Sequence, residues 1–99
     1  MVKSRVAPCV FTCISDDGKL LNIEIDLPGV EKEDIQFKMT EMGFSVRAHN
    51  REDDIEYMGT YTLCCPVVPD KATAAYDNGM LLATVPYEEA HEEVDVDIK

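Results

Sequence analysis

The sequence has no apolar run approaching the roughly 20 residues that a membrane-spanning helix needs, which excludes a helical anchor within it. It is also poor in basic residues: nine Lys and Arg stand against twenty Asp and Glu, a formal net charge of −11 over 99 residues. A chain this acidic repels phosphate backbones and anionic lipid surfaces, so neither nucleic acid nor membrane is an expected partner. There is no Gly-x-Gly-x-x-Gly and no Gly-Lys-Ser/Thr loop, so no phosphate cradle is signalled. The four cysteines include no Cys-x-x-Cys pair. His49 falls on the polar face of a strand pattern and His91 in an acidic tail, neither with a nucleophile beside it. No enzyme, cofactor or metal is expected. The basic start, Met1-Val2-Lys3-Ser4-Arg5, leads into nothing resembling a signal peptide, and the expected compartment is the cytoplasm.

No segment sustains a helical period either; what the sequence has instead is a period of two. In Leu21-Asn22-Ile23-Glu24-Ile25-Asp26-Leu27 the odd positions are apolar and the even ones polar, the pattern of a half-buried strand. Cys9–Ser15 reads as its hairpin partner across Asp16-Asp17-Gly18, and Pro28-Gly29 ends the strand. Glu31–Asp34 is a charged connector. Ile35, Phe37 and Met39 then share one face, and after Glu41-Met42-Gly43 so do Phe44, Val46 and Ala48, giving a second hairpin. Asn50–Gly59 reads as a polar loop. Strand character resumes over Thr60–Cys65, then over Thr73–Tyr76, and, past the turn Asp77-Asn78-Gly79, over Met80–Val85. Many short strands with closely spaced turns predict an all-β sandwich. At 45% hydrophobic residues the chain can support one core, and surface scaling buries about two-thirds of the extended surface.

Charge sets the C-terminus apart. Residues 88–99 hold six acids and one base, net −5, and end in Val94-Asp95-Val96-Asp97-Ile98, where β-branched residues alternate with aspartates. Such a strip suits docking onto an exposed sheet edge, or else a last strand in the domain's own sheet. The domain reading is therefore a short N-terminal arm over 1–8, a sandwich over 9–87 and an acidic tail over 88–99. The cysteines are expected to be small buried hydrophobes. Zinc is resisted by spacing: four residue steps along a strand set Cys9 and Cys13 about 13 Å apart. Neighbours such as Cys64 and Cys65 point to opposite faces of a strand.

Three stretches resemble the small heat-shock protein family through its α-crystallin domain. They are Asp26-Leu27-Pro28-Gly29-Val30 followed by Lys32-Glu33-Asp34-Ile35, then Val68-Pro69-Asp70-Lys71, and then Ala74-Ala75-Tyr76-Asp77-Asn78-Gly79-Met80-Leu81 with Val85-Pro86 after it. The chain departs from the pattern at Gly59, where the family often has arginine, and at Cys64, where it usually has proline. The resemblance implies an immunoglobulin-like β-sandwich that acts as an ATP-independent holdase. It would bind unfolding client proteins through apolar grooves, and associate as a dimer or through its C-terminal motif as a larger oligomer. Carried over, the groove would be walled by Ile35, Phe37 and Met39 on one side and by Ala72 and Ala74 on the other. Val94, Val96 and Ile98 would form the docking motif. The alternative is a co-chaperone or adaptor module of the CS-domain type, binding one folded partner.

Overall fold

The alternation in residues 20–26 becomes a strand because only an extended backbone places Leu21, Ile23 and Ile25 on one side and Asn22, Glu24 and Asp26 on the other. The computed structural model describes residues 4–88 and 96–99. It contains eight strands among these: β1 Ser4–Val6, β2 Cys9–Ile14, β3 Leu20–Asp26, β4 Ile35–Thr40, β5 Gly43–Asn50, β6 Ile55–Thr62, β7 Thr73–Asp77 and β8 Met80–Pro86. Two 3-10 turns, Lys32–Asp34 and Pro69–Lys71, precede β4 and β7.

The strands form two four-stranded sheets, ordered β1-β6-β5-β4 and β2-β3-β8-β7. All pairings are antiparallel except β1 with β6. The expected hairpins β2–β3 and β4–β5 are present, with Gly18 at φ 72° in the first turn. Along its other edge β3 pairs with β8, Ile23 opposite Ala83 and Ile25 opposite Leu81. That non-local pairing is what closes one sheet around the core.

The core lies between the central strands. Leu21, Ile23 and Ile25 of β3, Phe44, Val46 and Ala48 of β5, and Leu81, Ala83 and Val85 of β8 are all buried. Ile25 and Val85 are completely so, and each contributes at most about 2–3 kcal/mol by leaving water. Phe44 stacks on Tyr61 at 5.0 Å between ring centroids and tilts against Phe37 at 5.8 Å. Val67 and Tyr87 close one end through an isolated bridge.

Two glycines are required by what lies against them. Gly29 has φ 73°, and a Cβ there would press into the side-chain amide of Asn50. Gly43 faces the Tyr61 backbone carbonyl, and a Cβ would collide with it.

The expected loop over Asn50–Gly59 is shorter than the sequence suggested. β5 runs through Asn50, and β6 begins at Ile55 and stops at Thr62, before the cysteines. Ile55, Tyr57, Gly59 and Tyr61 do alternate inward, but Gly59 removes one side chain from the stripe, and the outward apolar Met58 blurs the contrast between the two faces. A four-residue turn suffices because Asn50 organises it. Its side-chain oxygen accepts from the Asp53 amide at 3.1 Å, its nitrogen donates to the Pro28 carbonyl at 3.1 Å, and Asp54 takes φ 52°. β1, within the stretch expected as an arm, lies in parallel register along β6, Arg5 opposite Glu56.

Candidate functional site

Edge strands decide what this sandwich offers. β4 borders one sheet and β7 the other. On β4 the inward side chains are Ile35, Phe37 and Met39, opposite Ala48, Val46 and Phe44. The three β5 residues are buried, whereas the three on β4 are only half-buried, although both sets face the same way and pack on the same core. β7 repeats the situation. Ala74 shares the inward face with buried Ala83, its partner across β7–β8, yet Ala74 is exposed. Ala72, at the end of the 3-10 turn, is half-buried against the core. All five expected groove residues are thus inward-facing or core-packed positions that their own domain leaves uncovered to some degree.

One residue that sequence reasoning missed ties this border together. The Tyr76 hydroxyl lies 2.7 Å from the Val30 carbonyl and 2.8 Å from that of Leu27, sharing one proton between them. It spans from β7 to the bend that leads into β4. Burial, with Glu31 nearby, pushes the Tyr76 phenol above its ordinary value. The Leu27 amide also donates to the Gly79 carbonyl at 2.7 Å, fastening the end of β3 to the β7–β8 turn. The sequence signal was the Tyr three residues before Gly79, an aromatic on an otherwise small strand.

The tail strip expected to dock is exposed at its described positions. Val96 is 80% exposed and Ile98 98%. Val94 lies outside the described residues.

A second opening lies elsewhere. A cavity of about 600 Å³ opens beside β2 and the end of β6, lined by Val10, Ile14, Phe44, Tyr61, Leu63 and Tyr87 among others. This falls in the size range of small-molecule pockets. Nothing in the alternation announced it, because it arises from the incomplete cover that an edge strand gives: inward-facing Thr12 and Ile14 remain exposed.

The cysteines differ from expectation. Cys9, Cys13 and Cys64 are exposed and Cys65 is half-buried. Cys9 and Cys13 fall on the outward face of β2 with Phe11, the opposite parity to Val10. Cys64 and Cys65 follow β6 in a bend, so the rule that strand neighbours point apart does not hold for them, and their sulfurs are 3.4 Å apart.

The outer face of the β1-β6-β5-β4 sheet is charged. Arg47 Nε lies 3.2 Å from Glu56 Oε1 across the β5–β6 pair, and Arg51 donates to Asp34 at 2.6 Å. The Arg51 guanidinium is held above its ordinary value by that bond and by the charge of Asp34. Among the described residues no helix is long and apolar enough to cross a membrane.

Two stacked sheets with this strand order, with two partly uncovered apolar edges, make an immunoglobulin-like sandwich of the α-crystallin type. The family model described as Hsp20/alpha crystallin family matches residues 13–99, and the chain belongs to that family. It is 31% identical over 85 residues to a probable 15 kDa heat shock protein of Leptospira interrogans, a match spanning 74% of this chain and 65% of that relative. Among solved structures it is similar to heat shock protein 16.0 from Schizosaccharomyces pombe, with a TM-score of 0.75 and 20% identity over 95% of this chain and 99% of the other. It is also similar to a small heat-shock protein from Xylella fastidiosa, with a TM-score of 0.69 and 17% identity over 95% and 97% of the two chains. The expected fold is therefore the observed one.

Proposed function

We propose that this protein is an ATP-independent holdase chaperone, and not an enzyme. The sandwich over 9–87 would hold unfolding clients, flanked by the arm over 1–8 and the acidic tail over 88–99. The observation that carries this reading is the pair of uncovered borders: Ile35, Phe37 and Met39 half-buried on β4, and Ala74 exposed on the inward face of β7. A folded partner recognised by a fixed patch has no need of such a border. An unfolding client supplies what completes it, an extended segment with alternating apolar side chains and free backbone donors and acceptors.

The same border suits the tail. Val94, Val96 and Ile98 are spaced two apart, so an extended strip would direct all three to one side. Seating Val96 and Ile98 contributes about 2–3 kcal/mol each at most. Ordering the segment costs about 1–2 kcal/mol per residue. The balance is weak and reversible, as befits a plug that yields to a client. When the tail of one copy seats on another, dimers join into larger assemblies.

The test is light scattering from a heat-denatured client, without nucleotide. Suppression of aggregation at an equimolar ratio is expected, and no suppression at about tenfold excess would overturn the reading. Placing a charge on the border with Ala74→Glu, an exposed position, should abolish suppression while leaving the domain folded. A CS-type module would remain monomeric on a sizing column whether or not residues 88–99 are deleted, whereas this chain should change its assembly size on that deletion.

A further inference from the structure

The bend between β6 and the second 3-10 turn holds two thiols in a fixed relation. The Leu63 amide donates to the Met42 carbonyl at 2.7 Å, and the Val67 amide to the Glu41 carbonyl at 2.8 Å. The Glu88 amide donates to the Pro66 carbonyl at 3.0 Å. Both ends of the Cys64-Cys65 segment are thereby fastened to the body. Within it, the Cys64 thiol donates to the Cys65 sulfur at 3.4 Å. Cys64 is exposed, and it lines the 600 Å³ cavity together with Phe44, Tyr61, Leu63 and Tyr87.

This spacing selects a ligand. A direct disulfide is disfavoured, because adjacent Cα atoms are about 3.8 Å apart, inside the usual span of about 4.4–6.8 Å. A tetrahedral zinc ion wants four ligands, and among the described residues no group of three or more Cys, His, Asp or Glu comes together. An atom that bridges two sulfurs and brings its own third substituent fits. With bonds of about 2.3 Å, two sulfurs sit roughly 3.3 Å apart at a right angle and about 3.8 Å apart at the tetrahedral angle. The observed 3.4 Å lies near the pyramidal end.

We propose that Cys64 and Cys65 form a vicinal dithiol site for a trivalent, aryl-substituted thiophile of the organoarsenical class, with the aryl group seated in the adjoining apolar cavity. For an arylarsine oxide the step balances without any oxidant. Two As–S bonds form, the As=O bond breaks, and the oxygen leaves as water carrying both thiol protons, while arsenic stays trivalent. The hydrogen bond from Cys64 and burial push the Cys65 thiol above its ordinary value. Cys9 and Cys13, about 13 Å apart along β2, are separate monothiols and serve as an internal control.

The experiment uses the full reduced chain and equimolar phenylarsine oxide, read by intact mass and by peptide mapping after alkylation. One bridging phenylarsenic per chain is expected, protecting Cys64 and Cys65 and leaving Cys9 and Cys13 free to alkylate. Cys64→Ser and Cys65→Ser should each weaken retention about a hundredfold, since the second bond is then no longer intramolecular. The Cys9→Ser, Cys13→Ser double variant should retain the wild-type affinity. A methyl-substituted arsenical should bind about tenfold more weakly than the phenyl one, having no ring to bury. Protection of Cys9 or Cys13 instead, or retention unchanged in the Cys64→Ser variant, would overturn the site. Equal affinity for methyl and phenyl would overturn the seating in the cavity. The protection map is made on the unaltered protein, so the outcome does not depend on any variant folding.

Discussion

Replacing Tyr76 by Phe removes one oxygen atom and tests how the two borders are held in register. The ring keeps its packing on the core. What disappears is the donor shared by the Val30 carbonyl at 2.7 Å and the Leu27 carbonyl at 2.8 Å. Leu27 is fully buried and Val30 nearly so, which limits how readily water replaces the lost partner. The Leu27 carbonyl keeps only a long contact from the Val30 amide, at 3.4 Å. One lost hydrogen bond plus an under-satisfied carbonyl costs about 2 kcal/mol. For a domain of this size that lowers Tm by roughly 10 °C. Chemical denaturation at fixed protein concentration is the assay, because assembly makes apparent stability concentration-dependent. The pH dependence gives a second readout. The phenol is raised in the folded state, so its contribution is complete below the ordinary tyrosine value near 10 and is lost as pH climbs through the raised folded value. The wild type should therefore weaken in strong alkali more steeply than the Phe variant. Tyr87, also raised by burial, leaves both proteins a residual slope. A Phe variant as stable as wild type at neutral pH, with the same alkaline slope, would refute the argument.

Ile25→Ala empties a fully buried position between the sheets and should cost about 2–5 kcal/mol in denaturant titration. Gly43→Ala forces a Cβ against the Tyr61 carbonyl and should destabilise by about 1–3 kcal/mol, with the β5–β6 amides losing exchange protection first. Changing Val96 and Ile98 together to Asp should shrink the assembly seen by light scattering while leaving the domain folded by circular dichroism, since both side chains are exposed on the single chain.

Strand existence was legible wherever one face is buried and the other wet. β3, β4, β5 and β8 alternate cleanly because they sit on or beside the core. β6 was half hidden, because Gly59 contributes nothing to the apolar stripe and the buried Glu56 mimics a loop residue while pairing with Arg47. The border residues on β4 were legible by parity, but their partial exposure was not. Exposure depends on which strand ends a sheet, and topology decides that. Tyr76 and Asn50 reach over 46 and 22 residues respectively, through side-chain hydrogen bonds to backbone carbonyls that leave no periodic trace. The cysteines were misplaced for a related reason. Burial was inferred from residue type, whereas β2 is an edge and the Cys64-Cys65 bend lies outside both sheets.

The parallel strip β1 has a consequence for how the molecule opens. All three of its residues are exposed, so little side-chain burial adds to the main-chain ladder that holds it to β6. Its first link beyond the ladder, from the Ser4 amide to the Asp54 carbonyl, is long at 3.4 Å. Such a strip detaches at a small fraction of the energy that unfolds the body, and its amides should trade deuterium soonest. Each detachment would bare the flank of β6 and leave its main-chain donors and acceptors open to a foreign strand.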